Sequence, residues 1–247
     1  MVLARLTAGV FLGVLSAGAL AAAPEAPLIA IDVGHSLAKP GSTSARGRPE
    51  FEFNRELAAA VDRALHLYGF RTQLIGEQGD MTGLTDRTKA AAGADFFLSI
   101  HHDSVQPQYL QTWIVGEEKQ KWTDRFSGYS LFVSRKNQHL KKSLACAQAI
   151  GEAMRMAGQT PSLHHAEPIK GENRPLADKI NGVYYFDDLV VLKTASSPAV
   201  LVEAGIIVNK HDELGLREPA TKRRIAFAIA SGLRDCLNAP ATISGRG

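Results

Sequence analysis

The sequence predicts an α/β sandwich built as a single domain, and three observations carry that reading. Apolar runs of β character alternate with segments whose apolar residues recur at helical spacing, the pattern of strands and helices layered about one core. Two of the apolar runs, residues 28–33 and 96–100, stop abruptly at glycine or histidine, as strands do where they open into the crevice at the carboxyl edge of a sheet. Removing an N-terminal export segment leaves about 220 residues, a length that suits one core of this kind.

Residues 1–23 read as a secretory signal: Arg5 in a short basic region, an apolar stretch over 6–20, then small residues up to Ala23. That stretch is shorter than the roughly 20 residues needed to cross a bilayer. Nothing later is apolar enough to span a membrane, so the expectation is an exported chain with a domain over 27–238 and a frayed tail over 239–247.

A strand is expected over 28–33, followed by a polar loop over 36–49 too rich in turn formers for a regular element. Leu57, Val61, Leu65 and Tyr68 then mark a helix that Gly69 stops. A strand over 70–75, a helix over 84–92 ending at Gly93, and the strand over 96–100 follow. Residues 106–126, with Trp113, Trp122 and Lys119-Gln120-Lys121, read as an insertion over one face of the sheet. Next come a strand over 129–133, an amphipathic helix over 140–156, and a loop over 162–181 that holds His164, His165, Glu167, Glu172 and Asp178. Strands over 189–192 and 199–202 and a closing helix over 225–237 complete the pattern.

Composition narrows the function. The formal net charge is +3, or +2 without Arg5, with acids and bases interspersed, so there is no electrostatic footprint for nucleic acid. Cys146 and Cys236 both lie in helical patterns and in no metal-binding spacing; sequence leaves open whether they form a disulfide or stay as buried thiols.

Four residues stand out as chemistry. His35 follows the first strand directly after Gly34, and His101 follows the apolar run of another, so strand ends would bring two imidazoles to one crevice. His102 must face the other way if the strand continues, and reads as structural. A catalytic zinc site usually keeps three protein ligands and an open position. Glu50, at the start of a helix, is the candidate third ligand, with Glu52 as its competitor. Glu203 follows the apolar run Pro198-Ala199-Val200-Leu201-Val202; an acid there is costly unless paired or functional, and it reads as a general base, with capping of a neighbouring helix or pairing with Arg87 as the plain alternative.

Together these segments resemble the zinc-dependent N-acetylmuramoyl-L-alanine amidases of the type that separates bacterial daughter cells, the Amidase_3 family. The resemblance rests on Ile31-Asp32-Val33-Gly34-His35, on the acid-x-x-x-Asn spacing from Glu50 to Asn54, on Asp86-Arg87, on Ser99-Ile100-His101-His102-Asp103 and on Ala199 to Gly205, in the family's order. It implies zinc ligands at His35, Glu50 and His101, one zinc per chain, a catalytic Glu203, and a mixed sheet of roughly six strands. It also implies hydrolysis of the amide joining N-acetylmuramic acid to the stem-peptide L-alanine, with peptidoglycan as partner. Val33 stands where the family usually has Pro, and Ser36 where it has Gly. Regulated members insert a zinc-blocking helix after the strand matching 129–133. Here that strand leads straight to the 140–156 helix, so the site is expected to be open by default, with Glu167 or Glu172 as the side chains in reach of it and any activator protein unidentified. A monomer in the periplasm is the expected setting. Two rivals use the same residues differently: a zinc peptidase cutting within the stem peptide, and a catalytically silent wall-binding or activator module.

Overall fold

The structure is a computed structural model in which residues 25–238 are described; the expected signal segment over 1–23 and the tail over 239–247 lie outside them. The chain runs β1 (Leu28–Val33), α1 (Glu50–Leu67), β2 (Arg71–Ile75), α2 (Leu84–Ala90), β3 (Phe96–Asp103), β4 (Gln111–Val115), β5 (Glu118–Trp122) and β6 (Ser130–Val133). It continues through α3 (Leu140–Met156), β7 (Leu176–Asp178), β8 (Val183–Tyr185), α4 (Val190–Thr194), β9 (Ala199–Ile206), α5 (Asp212–Arg217) and α6 (Pro219–Asn238). Seven strands form one sheet in the order β2-β1-β3-β9-β6-β8-β7, one more than the six that the resemblance implies.

The sheet is mixed because β2, β1, β3 and β9 run parallel, while β6 lies antiparallel to β9. Along β1 the side chains alternate between two cores: Ile29, Ile31 and Val33 face α1, α3 and α6, while Ala30 joins Phe97, Leu201 and the residues of α2 and α4 behind the sheet. Burial on both faces is why these strands read as nearly continuous apolar runs. Two strands extend further than expected. The β3 ladder with β9 continues past Ile100 to Asp103, and β9 continues past Val202 to Ile206. His101 and Glu203 therefore sit inside paired strands rather than after them.

One expected strand is a helix. Residues 189–192 turn into α4, with the Lys193 amide bonded to the Leu189 carbonyl at 3.0 Å. A short apolar run carries no periodicity to separate a buried strand from one buried helical turn, and here Val191 and Leu192 pack behind the sheet. The strand that occupies that part of the sheet is β8, three residues long and preceded by Gly182 in the left-handed region at φ +67°. The 106–126 segment is ordered as the β4–β5 hairpin, whose two tryptophans lie 5.8 Å apart on one face. Trp113 donates to the Ala45 carbonyl at 2.7 Å, and Lys210 stands over Trp122 at 3.8 Å, so these rings seat the hairpin on the body.

Cys146 on α3 and Cys236 on α6 form a disulfide across 90 residues, with Cα atoms 5.0 Å apart. It ties together two helices that already pack closely: Gly232 of α6 sits so near the α3 backbone that an added Cβ would come within 2.5 Å of Ile150 Cα. Replacing both cysteines by serine is expected to lower the unfolding free energy by about 2–4 kcal/mol, read as a lower denaturant midpoint with the sheet retained.

Candidate active site

The carboxyl end of β1 is where the site is built. Gly34 leaves no room for a side chain, since an added Cβ would lie 2.3 Å from the His101 ring, and His35 then turns into the left-handed region at φ +69°. A non-glycine residue held there stores strain, which persists only where surrounding contacts fix it. Gly41 closes the other side: a Cβ there would lie 2.4 Å from Glu50 Oε2 and 2.7 Å from the His35 ring.

Glu50 is the first residue of α1 and is 3% exposed. Its Oε1 lies 3.0 Å from His35 Nε2 and 3.1 Å from His101 Nδ1, while Oε2 accepts the Ser42 amide at 3.0 Å. One helical turn on, Asn54 donates from Nδ2 to Glu50 Oε1 at 3.2 Å and to the Gly34 carbonyl at 3.1 Å. The acid-x-x-x-Asn spacing therefore puts a carboxylate and the amide that steadies it on one helix face. Burial works against the Glu50 charge, but the hydrogen bonds from His101 and His35 outweigh it and hold the carboxyl well below its usual range. Glu52, the competing acid, pairs with Arg48 at 2.7 Å and is not among the converging donors.

His102 faces Asn54, with Nδ1 and Oδ1 2.8 Å apart, and burial pushes its imidazole down to about 3, so it stays neutral and donates to the amide oxygen. On the neighbouring strand Glu203 pairs in register with His101 on one side and Ser130 on the other. Its Oε2 is sealed from solvent without a hydrogen-bond partner among the described residues. Burial, then the charges of Asp103 and Glu50, push its carboxyl well above the ordinary value. Arg87 is not its partner: the guanidinium binds Asp32 at 2.6 Å instead. Beside His35 and His101 opens a cleft of about 230 Å³ walled by Lys39, Met81, Leu189 and Val190.

Two imidazole nitrogens and one carboxylate oxygen thus converge, a donor set able to hold a divalent transition metal with positions left open. Neither Glu167 nor Glu172 joins it: Glu167 accepts the Tyr109 hydroxyl at 2.5 Å, and Glu172 meets His165 at 2.7 Å. Sequence reading placed His164 and His165 in a loop but did not bring them to Asp103, a contact 62 residues away in the chain that the adjacent histidines alone could not announce. Asn54→Ala is expected to weaken divalent-metal binding by about 10- to 100-fold, the usual effect of losing a group that orients a ligand, measured by competition with a chelator of known affinity.

Comparison with known proteins gives this geometry its relatives. "Probable N-acetylmuramoyl-L-alanine amidase AmiB" of Haemophilus influenzae is 26% identical over 230 residues, covering 83% of this chain and 51% of that protein. The chain therefore spans about half the length of that relative. "N-acetylmuramoyl-L-alanine amidase AmiA" of Salmonella typhimurium is 24% identical over 218 residues, covering 83% and 74%. Among solved structures, the amidase Ami1 of Mycobacterium smegmatis superposes with a TM-score of 0.69 at 20% identity, covering 88% of this chain and all of the other. The catalytic domain of CwlV from Bacillus (Paenibacillus) polymyxa gives 0.65 at 23%, covering 87% and 99%. These likenesses show the fold. The profile of the N-acetylmuramoyl-L-alanine amidase family Amidase_3 matches residues 29–235, nearly the whole described chain, and the protein belongs to that family.

Proposed function

We propose that the protein hydrolyses the amide bond between N-acetylmuramic acid and the L-alanine of peptidoglycan stem peptides, with one zinc ion held by His35, Glu50 and His101. The observation that carries this reading is the convergence of those three donors beside Glu203 in a chain of this family. The donors fit zinc: two imidazoles and a carboxylate make a typical three-ligand set, and a buried anion balances part of the ion's charge. When bound, zinc supplies Lewis-acid polarisation of a carbonyl and acidifies a water molecule.

The chain's own groups account for the proton traffic. Burial and the neighbouring charges of Asp103 and Glu50 raise the Glu203 carboxyl, which suits a group that takes a proton from the attacking water. The same carboxyl then returns that proton to the alanine nitrogen as the C–N bond breaks. His35 and His101 keep 32% and 16% of their side-chain area exposed, so the donors are reachable from the cleft. Only residues 134–139 link β6 to α3, with no helix inserted there, which supports a site that works without an activator. A setting in the periplasm, in wall turnover or daughter-cell separation, is the physiological part of the proposal.

The direct test incubates the purified protein with peptidoglycan, with and without chelator, and identifies the products. Chelator-sensitive release of intact stem peptides is the expected result. Shortened stems would instead make it a peptidase, and absence of any product with bound zinc would remove the hydrolase reading. Glu203→Gln is expected to keep the zinc in the His35, Glu50 and His101 site and lose about 10²- to 10⁴-fold in turnover; loss of that zinc would make Glu203 a ligand.

A further inference from the structure

A second donor set lies two residues further along β3. The register with β9 shifts between His101 and Asp103, and past that irregularity the Asp103 carboxylate turns to the 162–174 loop. Asp103 Oδ2 lies 2.8 Å from His165 Nε2 and 3.5 Å from His164 Nε2. The other nitrogen of each ring is already tied down: His165 Nδ1 meets Glu172 Oε2 at 2.7 Å, and His164 Nδ1 meets Ser162 Oγ at 2.9 Å. Glu172 is itself held by the Gln106 amide at 2.8 Å. Both Nε2 atoms are thereby aimed at one carboxylate oxygen.

The bland account of this cluster is an ion pair in which His165, sandwiched between Asp103 and Glu172, pins the loop to the sheet. It leaves His164 unexplained. That residue is 3% exposed, and its Nε2 points at the cluster, sealed from solvent and with no hydrogen-bond partner among the described residues. A loop pin needs one imidazole, whereas two whose outer nitrogens are fixed and whose inner nitrogens converge on a carboxylate form the arrangement by which proteins orient metal ligands. The spacing agrees. Tetrahedral bonds of 2.0–2.1 Å put donors about 3.3 Å apart, and the contacts here of 2.8 and 3.5 Å bracket that value much as the 3.0 and 3.1 Å contacts of the first donor set approach it. The surroundings are apolar: Phe126 lies against His164, and Phe132 and Tyr184 against His165.

We propose that Asp103, His164 and His165 form a second zinc-class metal site, separate from the His35, Glu50 and His101 set, that clips the 162–174 loop to the end of β3. Glu172 and Ser162 are its orienting groups rather than its ligands. With three residues each 8% exposed or less, the ion is structural, held away from substrate.

The test loads the purified, chelator-stripped protein with zinc alone, removes excess, and counts metal per chain by mass spectrometry. Thiols do not confuse the count, because the sequence has two cysteines and both are joined in the disulfide. The expected result is two zinc ions in the unaltered protein and one each in His164→Ala and Glu50→Gln. One ion in the unaltered protein, lost in Glu50→Gln and kept in His164→Ala, overturns the second site while leaving the first intact. One ion lost only in His164→Ala supports the second site and speaks against the first. Should His164→Ala not fold, trypsin cleavage at the exposed Lys170 of the unaltered protein decides. Zinc at ten times its dissociation constant is expected to slow that cut about tenfold, also in Glu50→Gln, and no slowing there overturns the proposal.

Discussion

Arg87 is 2% exposed, yet its guanidinium reaches four acceptors around the carboxyl end of β1: the Asp32 carboxylate and the carbonyls of Val33, His35 and Met81. Asp32 in turn accepts the Ser99 hydroxyl at 2.7 Å from the neighbouring strand. A buried charge is tolerable only when so completely paired, and removing one partner of such a pair typically costs about 3–5 kcal/mol. What the network holds is the exit of the chain from the sheet, including the strained backbone at His35. Without a fixed exit, the imidazole has no reason to meet Glu50, whose own place is set by the first turn of α1.

The polar centre is therefore assembled in layers. Arg87 grips the backbone of β1, Asn54 links that backbone to the Glu50 carboxylate, and His102 holds Asn54 from behind. Each member satisfies the next, which is the condition under which a buried polar network rigidifies a site instead of weakening it. The exception is Glu203, whose sealed oxygen has no partner among the described residues. Buried polar atoms that go unpaired are uncommon and often mark chemistry.

Much of this was readable in the sequence because strands buried on both faces announce themselves, and because His35, His101 and Glu203 each follow such a run. Residue type alone left Glu52 beside Glu50, since both are acids in the first turn of α1; the family resemblance favoured Glu50, and the side-chain directions separate the two. Residues 189–192 misled for a related reason: four apolar residues fit one buried helical turn as well as a strand. The β4–β5 hairpin, β7 and β8 are short or half-exposed and carry little periodicity. The meeting of Asp103 with His164 and His165 depends on how a loop folds back over 62 residues, which no local pattern encodes.

The bond between Cys146 and Cys236 makes the strength of the α3–α6 contact depend on the redox state of the surroundings. Thiols in a reducing cytosol stay unpaired, and disulfides persist in oxidising surroundings outside it. With its thiols reduced the chain holds α6 against α3 by packing alone, and in oxidising surroundings the two helices are covalently locked. The covalent link between α3 and α6 thus depends on the redox state of the surroundings, and a chain whose two thiols are reduced is the easier one to unfold.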